Sequence, residues 1–130
     1  MPAAEGDVIY LYCDENGQHW DTGTKQSSDY TVVTADTTAW GTDDGQEHWY
    51  VVKEGETVNF DNRITVTGNV HLILADSSTL NAGKGIMINW GNNSLAIYAQ
   101  SDNENMGALT ATGDTWKAGI QYSMARPSGM

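Results

Sequence analysis

The sequence predicts an all-β fold, a short right-handed parallel β-helix of about three coils with an N-terminal capping hairpin. One pattern is written twice between Arg63 and Ile120. Ile64-Thr65-Val66 recurs as Ile88-Asn89-Trp90, Leu72-Ile73-Leu74 as Leu95-Ala96-Ile97, Leu80-Asn81-Ala82 as Leu109-Thr110-Ala111, and Gly85-Ile86 as Gly119-Ile120. The order of segments is kept while their spacing widens, which a solenoid permits because coils must stack while corners face solvent. Each segment also alternates in polarity: Ile64 and Val66, Leu72 and Leu74, and Leu80 and Ala82 share one side, and Thr65, His71 and Asn81 the other. Period two argues for short strands. Fourteen Gly and only two Pro, with many Thr, Asn and Asp, supply the turns. An ordinary β-sandwich with accidental self-similarity is the competing arrangement, since two full copies fall short of the three repeats a solenoid usually needs.

The chain divides into residues 1–29, 30–120 and 121–130. In the first part, Val8–Cys13 is an apolar run that reads as a strand. Asp14-Glu15-Asn16-Gly17 is a turn and Gln18-His19-Trp20 a return strand, with a polar loop from Asp21 to Ser28. This hairpin is expected to cover the N-terminal end of the core, because an open coil end exposes an apolar layer. Next come strands at Tyr30-Thr31-Val32-Val33, His48-Trp49-Tyr50-Val51-Val52 and Thr57-Val58-Asn59-Phe60, with a polar loop between Ala35 and Glu47. They form an irregular first coil. In the two copies, Ile64, Val66, Leu72, Leu74, Leu80, Ile86, Ile88, Leu95, Ile97, Leu109 and Ile120 are expected to be almost fully buried. Two polar insertions, Ser101 to Met106 and Gly113 to Lys117, are expected to project outward. The 121–130 tail lacks alternation and is expected to be loose or to act as a second cap. An uncovered last coil would drive self-association through the C-terminal coil end.

The segments Ile64-Thr65-Val66, Val70 to Asp76, Thr79-Leu80-Asn81-Ala82, Ile97-Tyr98-Ala99-Gln100 and Leu109 to Gly113, over roughly residues 28 to 120, resemble a repeat of large surface proteins from gut-dwelling Gram-positive bacteria. Such segments are often labelled carbohydrate-binding. The resemblance implies a β-helix, placed extracellularly or at the cell surface as part of a larger exported protein, with cell-surface or dietary polysaccharide as partner. It carries no catalytic motif.

Six basic residues stand against seventeen acidic ones, a formal charge of −11. That balance argues against nucleic acid and anionic membrane, both of which reward Lys and Arg. No apolar run reaches the roughly 18 residues needed to span a bilayer. Cys13 is the single cysteine, so no intrachain disulfide forms.

The three histidines, His19, His48 and His71, show no metal-ligand spacing, and one cysteine gives zinc little to bind. His71 is expected to be a surface residue. There is no GxSxG elbow for a hydrolase. A polysaccharide-active β-helix enzyme, lyase or hydrolase, is the alternative function, but it would need acids converging on one strand face, and the acids here sit at corners. The expectation is therefore a non-catalytic module, a structural repeat or weak carbohydrate binder. Asp102 and Glu104 offer oxygen ligands at a spacing calcium tolerates, although the EF-hand pattern is absent and a solvated acidic loop explains them better. No other cofactor is expected. Aromatic rings on a rigid scaffold can stack on sugar rings. Trp40 and Trp116, in polar corner segments, and Tyr98, on an outward strand position, are the candidate carbohydrate contacts. Trp90, parallel to Val66 in the repeat, is expected in the core.

Overall fold

In the computed structural model, described for residues 7–13, 20–88, 91, 93–101, 104–112 and 120–122, the alternating segments become thirteen short strands among the described residues. An antiparallel hairpin, β1 (Val8–Cys13) and β2 (Trp20–Lys25), comes first. Then the chain winds: β3 (Tyr30–Val32), β4 (Ala39–Trp40), β5 (Glu47–Val52), β6 (Thr57–Phe60), β7 (Ile64–Val66), β8 (Asn69–Leu74), β9 (Thr79–Ala82), β10 (Ile86–Ile88), β11 (Ser94–Ala99), β12 (Ala108–Ala111) and β13 (Ile120–Tyr122). Three parallel sheets result. Sheet I has the order β11-β8-β5-β3, sheet II β12-β9-β6 and sheet III β13-β10-β7-β4. The fold is a β-solenoid of about three turns, preceded by a half turn made of β3 and β4.

Inward positions meet between the sheets. Val52, Val58, Ile64, Val66, Val70, Leu72, Leu80 and Ile86 form one buried cluster with Trp40 and Phe60. Corners keep the coils in step. After β7 the chain turns at Gly68, whose φ is 77°, a region costly for residues with a Cβ. A Cβ there would also lie 2.1 Å from the Thr42 carbonyl oxygen of the preceding coil, so the two corners stack only because position 68 is glycine.

Several expectations need correcting. The coil register differs from the repeat alignment: Ile64 pairs with Ile86 and Val66 with Ile88, while Leu72 pairs with Ile97 and Val70 with Leu95. These shifts are of two residues, and with a side-chain period of two the inward face survives them. Val66 is therefore parallel to Ile88 rather than to Trp90, which lies outside the described residues. Leu80 opposite Leu109 and Ile86 opposite Ile120 stand as expected. The last coil runs through Tyr122 rather than stopping at Ile120. The polar stretch 21–25, expected as a loop, is strand β2 paired along its length with β1, since backbone pairing there needs no apolar residues. Nor does the hairpin cap the core end. Tyr10 touches Trp49 and Tyr98, so the hairpin lies over the outer face of sheet I, where Val51 and Ile73 are buried although they point outward.

The N-terminal end of the core is closed by the half turn instead. Val33 and Trp40 are buried, and Trp40 stacks on Tyr50 at 5.7 Å and meets Phe60 edge-on at 6.4 Å. At the other end Leu95 and Leu109 are half-buried and Ile97 is 43% exposed, not fully buried, because among the described residues no further coil covers β11. The corner after β11 is anchored at two points: the Ser77 amide donates to the Asn105 carbonyl at 2.6 Å and Ser101 Oγ donates to Asp76 at 2.8 Å. No described helix is long and apolar enough to cross a membrane.

Candidate functional site

The outer face of sheet I gathers the aromatic residues. Coil pairing sets Trp49 of β5 beside His71 of β8, and their rings stack at 4.3 Å and 11°. Tyr98 of β11 leans over the same pair, 5.4 Å from Trp49 and 5.8 Å from His71, nearly parallel to both. The three rings come from three successive coils.

The hairpin supplies the opposite wall. Tyr10 pairs across the hairpin with Gly23, and a Cβ at position 23 would come within 2.4 Å of the Tyr10 ring. The ring lies over the glycine and is thereby directed onto Trp49 at 4.9 Å and Tyr98 at 5.0 Å. Lys25, near the end of the same strand, holds Nζ 4.3 Å from the Trp49 ring centre, a cation–π contact of about 0.5–1 kcal/mol at a surface. Between the two walls opens a cleft of about 610 Å³ lined by Tyr10, Leu11, Tyr12, Trp49, Ile97 and Tyr98, with Gly23 at its base. Tyr12 is 37% exposed and is the accessible ring of the set.

A polar chain runs along the edge of this stack. Glu47 Oε1 is 2.6 Å from His71 Nε2, and His71 Nδ1 is 2.8 Å from Tyr98 Oη. Burial, followed by Tyr10 and Glu47, pushes the Tyr98 phenol above its ordinary range; burial and then Tyr12 do the same for Tyr10. Both phenols are therefore neutral at ordinary pH. Chemically, the arrangement offers flat apolar faces next to two neutral phenol hydroxyls.

The expected site residues fare unequally. Tyr98 lines the cleft. Trp40 does not reach the surface: it is 0% exposed, and its indole Nε1–H donates to the Thr37 carbonyl at 2.6 Å. As a sugar contact it is overturned, because the half turn folds its ring into the open end of the core. Trp116 and Asp102 lie outside the described residues. Glu104 is exposed in its corner, and among the described residues no three of His, Cys, Asp and Glu gather in a metal-holding group. His71, expected as a plain surface residue, is held in the stack with its side chain 19% exposed. Glu47, assigned to a loop, opens strand β5. Tyr10, Tyr12, Trp49 and Lys25 were missed altogether. An outward aromatic on each of three equivalent strands was the available signal, but it becomes visible only once the coil register is known.

No family model, curated protein or solved structure matches the chain.

Proposed function

We propose that this chain is a non-catalytic, weakly glycan-binding module of a larger exported bacterial protein, displayed at the cell surface or in the surrounding medium. The observation that carries the binding reading is the open cleft walled by Tyr10, Tyr12, Trp49 and Tyr98. Rigid aromatic faces suit the C–H faces of sugar rings, and ligand sites are typically apolar concavities with a few placed polar groups. The surface setting rests on the sequence resemblance. Glycoside hydrolysis ordinarily takes two carboxyl groups flanking the scissile bond, and the cleft walls are aromatic and aliphatic, which favours binding over hydrolysis.

The test is tryptophan fluorescence and gel retardation with a panel of soluble plant and microbial polysaccharides, alongside an assay for newly released sugar ends. Binding by the intact chain, lost in Tyr12→Ala without a change in thermal midpoint and without sugar release, supports the proposal. No interaction with any member of the panel would reduce the chain to a structural spacer, and sugar release would make it an enzyme.

A second copy of the chain is the partner we propose for the C-terminal coil end. Ile97 is 43% exposed, whereas Leu72, its rung mate on the preceding coil, is 0% exposed. Because Trp40 and Val33 close the N-terminal end, head-to-tail stacking has no matching face, and like ends would meet about a two-fold axis. Sedimentation at several salt concentrations tests this, since the charge of −11 opposes association until it is screened. A dimer at high salt that Ile97→Glu abolishes is expected; a monomer under all conditions would overturn the proposal.

A further inference from the structure

We infer that Tyr98 acts in the cleft as a hydrogen-bond acceptor that selects saccharides presenting a free hydroxyl, and that Glu47 fixes this role through His71. The inference rests on the saccharide reading above and narrows it to a ligand class.

The argument follows protons along the chain. A carboxylate can only accept. Glu47 Oε1 lies 2.6 Å from His71 Nε2, so the proton of the neutral imidazole belongs on Nε2. Nδ1 is then the acceptor nitrogen, and it lies 2.8 Å from Tyr98 Oη. The single phenolic hydrogen is therefore directed at Nδ1. Stacking of the imidazole on Trp49 at 4.3 Å and 11° holds the ring in the plane that makes both contacts. Burial keeps the Tyr98 proton in place by pushing the phenol's pKa above its ordinary value. Only lone pairs remain on Tyr98 Oη for a molecule in the cleft. A sugar hydroxyl can donate to them. An ether, an ester or a carboxylate at that position cannot, and two acceptors facing each other lose the bond while remaining desolvated.

Two other groups could in principle disturb this arrangement. Tyr10, 5.0 Å from Tyr98 between ring centres, is neutral, since burial raises it as well. Lys25 is placed over the Trp49 face.

The experiment has two arms. Long-range proton–nitrogen correlation spectra of the free protein at pH 8 read the His71 tautomer directly; Nε2–H is expected, and Nδ1–H overturns the inference without any ligand. In the second arm, affinities are measured for cellohexaose, xylohexaose and mannohexaose, each against its per-O-methyl ether. The intact chain should favour a parent sugar over its ether by roughly tenfold, one hydrogen bond's worth. Glu47→Lys places a donor against Nε2, moves the proton to Nδ1 and turns the phenolic hydrogen outward, so the preference should shrink. Tyr98→Phe, which keeps the ring stack, should shrink it likewise. An undiminished preference in both variants would sink this inference and leave the saccharide reading standing. Failure of the intact chain to bind any parent sugar would sink both.

Discussion

Leu72 and Ile97 occupy the same rung of sheet I, one coil apart. Leu72 is 0% exposed and Ile97 43%. Their side chains are of the same size and hydrophobicity, so the difference comes from what lies on the far side of each. Leu72 has β5 on one side and β11 on the other; β11 has a strand neighbour on one side only among the described residues. A solenoid thus sets a residue's burial by the number of coils stacked on it, and its two ends become the weak points. At the N-terminal end the half turn solves the problem by folding Trp40 and Val33 over the core, with Trp40 set edge-on to Phe60. At the C-terminal end the inward residues Leu95, Leu109 and Ala111 remain half-buried.

The largest effect should come from opening the closed end. Trp40→Ala removes the capping ring, its stack on Tyr50 and its bond to the Thr37 carbonyl. It should cost about 3–5 kcal/mol in urea unfolding, as buried Trp truncations do. A cost near zero would mean that the half turn is not the cap. Second is the contrast itself. Leu72→Ala should cost about 2–5 kcal/mol, whereas Ile97→Ala should cost about half as much or less, since part of its surface is already in water and no closed cavity remains. Equal costs at dilute concentration would show that something covers the C-terminal end.

A third test concerns the N-terminal corner, where Asp44 accepts from the Gln46 amide at 2.9 Å and from His48 Nε2 at 2.8 Å. The Gln46 amide first, and the His48 ring next, lower the Asp44 carboxyl from 3.8 to about 2. A depressed carboxylate contributes to stability above its unfolded value and loses that contribution as pH falls through the folded one. The corner should therefore stay in place at pH 4 and loosen between 3.8 and about 2. Carbon-detected NMR titration checks this, and Asp44→Asn should remove the transition. Because the group is fully exposed, global stability should change little. The smallest effect is expected at Ser78, in the corner between β8 and β9. Among the described residues its Oγ is buried without a hydrogen-bond partner, so Ser78→Ala should be neutral or raise stability by up to about 1 kcal/mol. A clear loss would reveal a partner for that hydroxyl.

How much of this was legible beforehand depends on the period of the strand. Alternation with period two identified the inward faces of β7, β8 and β9, and a two-residue register error left those faces unchanged. The same error hid the site. Which outward residues of neighbouring coils touch is a question of register, and Trp49, His71 and Tyr98 become a stack only when β5, β8 and β11 are aligned as they are here. Tyr98 was found because an aromatic on an outward position is conspicuous by itself. Trp40 was misplaced because a tryptophan between Ala39 and Gly41 in a Thr-rich stretch looks like a loop residue until a coil end is known to need covering. Strand β2 was unreadable because it is polar and pairs through its backbone.

The amino-acid sequence by itself determined the class of fold and the inward faces of β7, β8 and β9, since both follow from short-range alternation, turn residues and the recurrence of one pattern. Tertiary structure alone decided three things: that the hairpin covers the outer face of sheet I, that Trp40 closes one end while Ile97 is left open at the other, and that Glu47, His71 and Tyr98 form a hydrogen-bonded chain. Each depends on contacts between residues distant along the chain, and a local pattern can say which side of a strand a residue faces but not what it will meet there.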